Sequence, residues 1–175
     1  MYMIKSKHTL LGTLKPLPEE QGGWPNIFPT LASHVSGQLA AWNVQCARPG
    51  VVMLAVWRPI GGDTYRLVGQ NRVEVTDAML HQLIYYVVAA NETIAIEAGD
   101  TIGIHYEEGS PQAYVAIEKN PVSIEAGMLG IVGEDLLPVR QCGSSCVSSY
   151  TIVGSDVAWN WVGTKRLPVL TAYIV

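Results

Sequence analysis

The feature that most constrains this chain is the alternation of apolar and polar residues along much of its length. Val73 and Val75 alternate with charged residues, and similar alternation occurs around Trp42, Ile94 and Ile102. Successive side chains of a β-strand point to opposite faces, so this pattern predicts strands with one face in a core.

Turn signals separate the predicted strands at intervals of about 8–12 residues, which is typical of sandwiches and barrels. The turn Ile60-Gly61-Gly62-Asp63 predicts a hairpin formed by Val51–Arg58 and Thr64–Gly69. The run from Val51 to Trp57 is apolar throughout and predicts a central strand covered on both faces. We therefore expect an all-β fold, a two-sheet antiparallel sandwich of the jelly-roll kind.

Three further segments need separate interpretation. Val157–Val162 and Leu167–Val175 are predicted to be the last two strands. Thr76–Tyr86 has an N-cap candidate and helical apolar spacing, which permits a short helix. The β-branched and aromatic run from Ile84 to Val88 favours a strand, so we predict a loop followed by a strand.

The chain has 175 residues, the usual size of one domain. Lys15–Pro25 is rich in proline and glycine and is unsuited to the interior of a sheet. We predict an N-terminal arm or loop over residues 1–33 and a single β-sandwich domain over residues 34–175.

Charge and hydropathy exclude several classes of function. The net charge is −4 and no cluster of Lys and Arg occurs, which argues against nucleic-acid binding. No apolar run reaches the roughly 20 residues of a membrane helix, so we expect no membrane insertion. Charged residues make up only 15% of the chain, which favours association with itself, as a homo-oligomer, or with a larger parent chain. The N-terminus has no hydrophobic signal core, which taken alone favours a cytoplasmic location. A mature fragment with an added Met, or one module of a longer protein, would have the same appearance.

The three cysteines leave their pairing open. Cys142 and Cys146 are separated by Gly143-Ser144-Ser145 and can close a small loop, while Cys46 can bridge to either one. Three reduced thiols are the alternative, which the absence of a signal sequence favours. The histidines are scattered and supply no zinc spacing, so we expect no metal and no cofactor.

Two groups of residues are candidates for ligand binding. The first flanks the predicted hairpin tip and consists of Trp57, Arg58, Asp63, Tyr65 and Arg66, which combine aromatic, cationic and acidic groups suited to a polar ligand such as a glycan. An ordinary hairpin with an Arg–Asp surface pair is the simpler interpretation, and we favour it.

The second group consists of aromatic and titratable residues near the predicted strand ends. Trp159 and Trp161 are two apart and should share one face, which favours core packing over an exposed aromatic platform. His105 and Glu107 also share a face, and we interpret them as a solvated polar edge in preference to a metal or proton-transfer site. No catalytic motif occurs, so we do not expect an enzyme.

The segment from about residue 37 to 106 resembles modules of large extracellular proteins of invertebrate animals. The likeness is carried by Val56-Trp57-Arg58-Pro59, by Thr64–Gly69 and by Ala98–Tyr106. The Gly99-Asp100 turn with the strand after it is also similar to galectin and tumour-necrosis-factor-type sandwiches. These resemblances imply an extracellular, non-catalytic recognition module that binds glycan or protein, lectin-like or adhesive. The alternative is a structural β-sandwich subunit that assembles with copies of itself.

Overall fold

The computed structural model describes residues 2–5, 25–119, 139–141, 152–162, 166–168 and 170–175. Within these ranges the protein is built from β-strands, with one 3-10 turn at Asp77–Met79. In chain order the strands are β1 (Tyr2–Lys5), β2 (Asn26–Ala32), β3 (Gly37–Val44), β4 (Gly50–Gly61), β5 (Thr64–Val75), β6 (Ile84–Val87), β7 (Ile94–Ile96), β8 (Thr101–His105), β9 (Ile117–Lys119), β10 (Val139–Gln141), β11 (Asp156–Ala158), β12 (Asn160–Val162), β13 (Arg166–Pro168) and β14 (Leu170–Ile174).

The strands form two main antiparallel sheets, which confirms the predicted all-β sandwich-like fold. The five-stranded sheet has the order β1-β14-β3-β6, and β7 pairs with β3 beside β6. The seven-stranded sheet has the order β11-β5-β4-β8-β2-β10-β12. A separate pair is formed by β9 and β13.

The main core lies between the two sheets. It includes Trp42 and Val44 from β3, Leu54 and Val56 from β4, and Ile104 from β8. The indole Nε1 of Trp42 donates a hydrogen bond of 2.8 Å across this core to Oδ1 of Asn71 on β5. Because both groups are buried, either one would destabilise the fold if it lacked a hydrogen-bond partner, and this bond satisfies both.

A second core lies on the other face of the seven-stranded sheet. It consists of Ile27, Ala55, Trp57, Tyr65, Leu67, Val157 and Trp159. Alternate residues of β4 therefore enter different cores, with Leu54 and Val56 in the first and Ala55 and Trp57 in the second. This confirms the prediction that Val51–Trp57 is a central strand covered on both faces.

The seven-stranded sheet is strongly curled, and the chain itself shows why. Its two outermost strands, β11 and β12, are separated in sequence by Trp159 alone. Consecutive Cα atoms are only about 3.8 Å apart, so the two ends of the sheet must approach each other at this residue. The second core is therefore enclosed by the curl of its own sheet.

This closure corrects the prediction that Val157–Val162 is one strand. The segment is broken at Trp159, and its two halves pair with β5 and with β10. Leu167–Val175 is likewise not one strand, because β13 pairs with β9 while β14 joins the five-stranded sheet. Nothing in the composition of Val157–Val162 marks the break at Trp159, whereas Pro168 at the end of β13 was a signal for the second break that the sequence interpretation did not use.

Other predictions of elements are confirmed. The hairpin around Gly62-Asp63 is present and is longer than expected, since β4 and β5 pair from Gly50 to Gly61. Thr76–Tyr86 is a turn followed by the strand β6. The predicted arm or loop over residues 1–33 is not among these confirmed predictions, because Tyr2–Lys5 and Asn26–Ala32 form the strands β1 and β2, and β2 lies between β8 and β10. The proline-rich segment up to residue 24 lies outside the described residues.

Candidate functional site

The predicted cluster at the hairpin tip is divided by the pleat of the β4–β5 pair. Trp57 and Tyr65 are buried in the second core. Arg58 and Arg66 are directly opposite each other in the register, and each is engaged in its own ion pair. The exposed turn residue Asp63 accepts a hydrogen bond on its backbone carbonyl from the N–H of Trp159. The five residues therefore do not form one surface.

The two arginines differ sharply in the burial of their carboxylate partners. Arg58 forms a bidentate pair with Asp100, at 2.8 Å and 2.9 Å, and Asp100 is only 1% exposed. The backbone N–H of Glu97 also donates to Asp100 at 2.8 Å. Arg66 forms a bidentate pair with Asp156, but both of these side chains are exposed. The hydrogen bond with Asp100 and the negative charge of that carboxylate raise the pKa of Arg58. The hydrogen bond from Arg66 lowers the pKa of Asp156.

Trp57 and Trp159 form the aromatic centre of the second core. Their ring centroids are 4.9 Å apart and the ring planes cross at 82°, a favourable edge-to-face arrangement. Neither indole N–H has a hydrogen-bond partner within the described residues. A Cβ on Gly103 would lie 2.7 Å from the carbonyl oxygen of Asn26 and 3.1 Å from Cδ1 of Trp57, so only glycine fits beneath this ring. The core interpretation of Trp159 is confirmed.

His105 belongs to this buried region. The side chain is fully buried and its ring centroid is 6.5 Å from that of Trp57, with the planes at 73°. Burial lowers the pKa of His105 to about 4, so the imidazole is neutral at pH 7. The prediction of a solvated polar edge was wrong for His105, because the curl of the sheet covers the face on which it lies.

Glu107 is separate from His105. It accepts hydrogen bonds from Ser110 at 2.6 Å and from Arg72 at 3.3 Å, and the Ser110 hydrogen bond lowers its pKa. Trp161 lies in β12 opposite Arg140, and its side chain is outside the described residues. No cluster of His, Cys, Asp and Glu in the described ranges has the composition of a metal site. Ligand binding by the residues predicted from sequence stays a prediction.

Cys46 is a buried free thiol. Burial raises its pKa to about 12, so the thiol is protonated and unreactive at pH 7. Its candidate disulfide partners Cys142 and Cys146 lie outside the described residues.

A surface that the sequence interpretation missed lies on the outer face of the five-stranded sheet. We call it the tyrosine face and define it by Asn43 on β3, Tyr85 and Val87 on β6, and Tyr173 on β14. Tyr85 and Tyr173 lie on opposite sides of β3, with ring centroids 5.7 Å apart and planes at 82°. Tyr85 is 59% exposed and Val87 is 65% exposed, whereas the Asn43 beneath them is buried.

Polar groups accompany these rings. The side-chain amide Nδ2 of Asn43 donates a hydrogen bond to the hydroxyl oxygen of Tyr173. Because that oxygen acts as an acceptor here, the hydroxyl hydrogen of Tyr173 is available to donate to a ligand. The segment Leu83–Val87 is apolar or aromatic at every position, so its sequence did not show which side chains face outward.

Comparisons with known proteins add no assignment, because the chain matches no family model, no curated protein and no solved structure. Among the described residues, no helix has the length and hydropathy needed to cross a membrane.

Proposed function

We propose that this protein is a non-catalytic recognition module that binds a neutral glycan on the tyrosine face. The observation that carries the proposal is the edge-to-face pair formed by the exposed Tyr85 and the partly buried Tyr173 above the Asn43 amide. Monomeric proteins rarely expose contiguous aromatic and aliphatic surface without a use for it. An extracellular setting is part of this proposal and rests on the resemblance to invertebrate extracellular modules.

The chemistry of the face suits a sugar. A tyrosine ring offers a rigid apolar surface for the C–H groups of a pyranose, and its hydroxyl makes hydrogen bonds at the rim. The two rings lie at right angles, so Tyr85 and Tyr173 present one ring face and one ring edge to an approaching ligand. The four side chains that define the tyrosine face carry no charge, which suits a neutral ligand.

A recognition role rather than a catalytic one is supported by how the ionisable groups are used. Arg58, Arg66 and Arg72 are each held in ion pairs. His105 is enclosed and neutral. Proton transfer needs a titratable group that reaches the substrate, and within the described ranges these groups serve the fold instead.

A glycan array with the full chain tests the proposal, followed by titration of the strongest neutral oligosaccharide. We expect Tyr85→Ala to weaken binding at least tenfold, about 1.4 kcal/mol, because it removes the more exposed ring. Tyr173→Phe keeps the ring and removes the hydroxyl, so we expect a smaller loss. Ile152→Ala is the matched control, since Ile152 is 60% exposed but belongs to the turn before β11 on the other sheet.

The outcomes of this experiment are distinct. Loss of binding in Tyr85→Ala together with normal binding in Ile152→Ala supports the assignment. An array without any retained neutral glycan contradicts it, as does wild-type affinity in the Tyr85→Ala protein.

A structural subunit that assembles with its own copies is the second candidate. The edge of the five-stranded sheet favours this role, because its edge strand β6 contains no charged residue that would oppose pairing with another strand. The two roles are compatible, since one uses the face of the sheet and the other uses its edge.

A further inference from the structure

The edge strand β6 has a defined set of backbone groups that point away from its sheet. The N–H of Val88 donates to the carbonyl of Ala40 at 2.9 Å, and the register continues as Tyr86 opposite Trp42 and Ile84 opposite Val44. In an antiparallel pair, hydrogen-bonded and non-hydrogen-bonded residues alternate. The even-numbered residues therefore bond to β3, and Tyr85 and Val87 direct their N–H and C=O groups outward. No described strand pairs with β6 on that side.

This edge lacks the usual protection against strand pairing. The segment Leu83–Ala90 contains no charged residue and no proline, whereas exposed edges in natural proteins are normally interrupted by such residues or by bulges. The register between β3 and β6 shows no bulge. Leu83, Tyr85 and Val87 are all substantially exposed. An edge of this kind is a template for one more strand.

We propose that a second copy of this chain fills that place, by antiparallel pairing of β6 with β6 of the partner around a two-fold axis at Tyr86. With Tyr86 opposite its own copy, Tyr85 of each chain faces Val87 of the other. Tyr85 and Val87 are the residues with outward-pointing backbone groups, so both reciprocal pairs can exchange N–H···O=C bonds. The two five-stranded sheets become one continuous sheet.

Self-pairing is favoured over pairing with a foreign strand because the edge is complementary to itself. The register places an aromatic residue opposite a β-branched residue on the tyrosine face, a favourable cross-strand combination. No like charges meet anywhere along Leu83–Ala90. A two-fold contact of this type is isologous and closes at the dimer, so it does not propagate into fibres. The axis is perpendicular to the sheet, so both tyrosine faces lie on the same side. The proposal goes beyond glycan binding and does not depend on it.

The test is sedimentation or light scattering of the full chain at micromolar concentration, with a matched pair of variants. We expect a dimer of twice the 19.0 kDa chain mass. Val87→Pro removes the outward N–H of residue 87 but none of the hydrogen bonds between β6 and β3, and edge strands tolerate proline. We therefore expect the dissociation constant of the dimer to rise at least tenfold. Val87→Ala trims the same side chain but keeps the N–H, and this variant should remain a dimer. A monomeric wild type, or a Val87→Pro protein that dimerises as the wild type does, would overturn the proposal.

A cysteine pair tests the register without relying on the proline variant. Non-hydrogen-bonded antiparallel partners have Cα atoms about 4.5 Å apart, within reach of a disulfide. Tyr86→Cys should therefore cross-link between chains under mild oxidation beyond the wild-type background, and Val87→Cys should not. Equal cross-linking of both variants, or none in either, contradicts the two-fold axis at Tyr86. The dimer experiments measure mass and cross-linking, whereas the glycan experiments with Tyr85→Ala measure ligand affinity, so either proposal can fail while the other stands.

Discussion

At the scale of single residues, His105 shows how the curl of a sheet changes the chemistry of a side chain. A histidine in an alternating strand next to a loop is ordinarily solvated and titrates near neutral pH. Here the ring is packed near Trp57 in the second core and its pKa falls to about 4. The neutral imidazole is compatible with the core, and the charged form is not.

The first prediction concerns the pH dependence of stability. In the unfolded chain His105 has its ordinary pKa of 6.5, so between pH 6.5 and pH 4 the unfolded state binds a proton that the folded state does not. The free energy of unfolding should therefore fall as the pH is lowered through this window, by up to about 3 kcal/mol, since one pKa unit corresponds to about 1.4 kcal/mol. Urea titrations at several pH values measure it.

The control for this prediction is His105→Gln. The variant is expected to be less stable at pH 7, because it loses a well-packed ring, but its free energy of unfolding should be nearly independent of pH above about pH 5. A variant with the same pH dependence as the wild type would show that another group is responsible.

At the scale of elements, the two arginines of the β4–β5 hairpin provide a comparison within one structure. Arg58 and Arg66 are register partners with the same bidentate geometry, but only the partner of Arg58 is buried. Removal of one member of a buried pair leaves a desolvated charge behind, whereas exposed pairs contribute little.

We therefore predict that Arg58→Ala destabilises the protein and that Arg66→Ala changes its stability little. The expected loss for Arg58→Ala is roughly 2–3 kcal/mol, near the lower end for buried pairs because the arginine itself is 32% exposed. Chemical denaturation of both variants under identical conditions measures the difference. Equal losses in the two proteins would contradict the role assigned to the buried Asp100.

The same hairpin shows which parts of the fold could be predicted from sequence. An apolar run flanked by a glycine-containing turn was sufficient for β4, β5 and their pairing. These features were not sufficient to predict which side chains of β4 and β5 face each other. The register of the pair is irregular between Val56 and Trp57 and again near Pro59. The meeting of Tyr85 and Tyr173 could not be predicted, because it depends on β6 and β14 lying on either side of β3.

At the scale of the whole molecule, Trp159 has an unusual position. It is the single residue between the two end strands of the curled sheet, and its ring packs on Trp57 inside that sheet. Its backbone N–H also bonds to the carbonyl of Asp63 in the β4–β5 turn. The closure of the sheet and the packing of the second core thus depend on the same residue.

We predict that Trp159→Ala destabilises the protein by roughly 3–5 kcal/mol, the range typical of a buried aromatic side chain. Trp159→Phe keeps a ring against Trp57 and should cost clearly less. Thermal unfolding followed by near-ultraviolet circular dichroism measures both, since the signal reports the packing of the tryptophans. A Trp159→Ala protein with wild-type stability would show that the second core does not depend on closure at this residue.

We propose that the protein recognises its ligand on the tyrosine face of the five-stranded sheet. Chemical-shift mapping of the ¹⁵N-labelled full chain, titrated with the neutral oligosaccharide that binds most strongly, tests this claim most directly. We expect the largest amide shifts at Asn43, Tyr85, Val87 and Tyr173. Shifts centred instead on the hairpin tip around Asp63 and Arg66, or no shifts at saturating oligosaccharide, would contradict it.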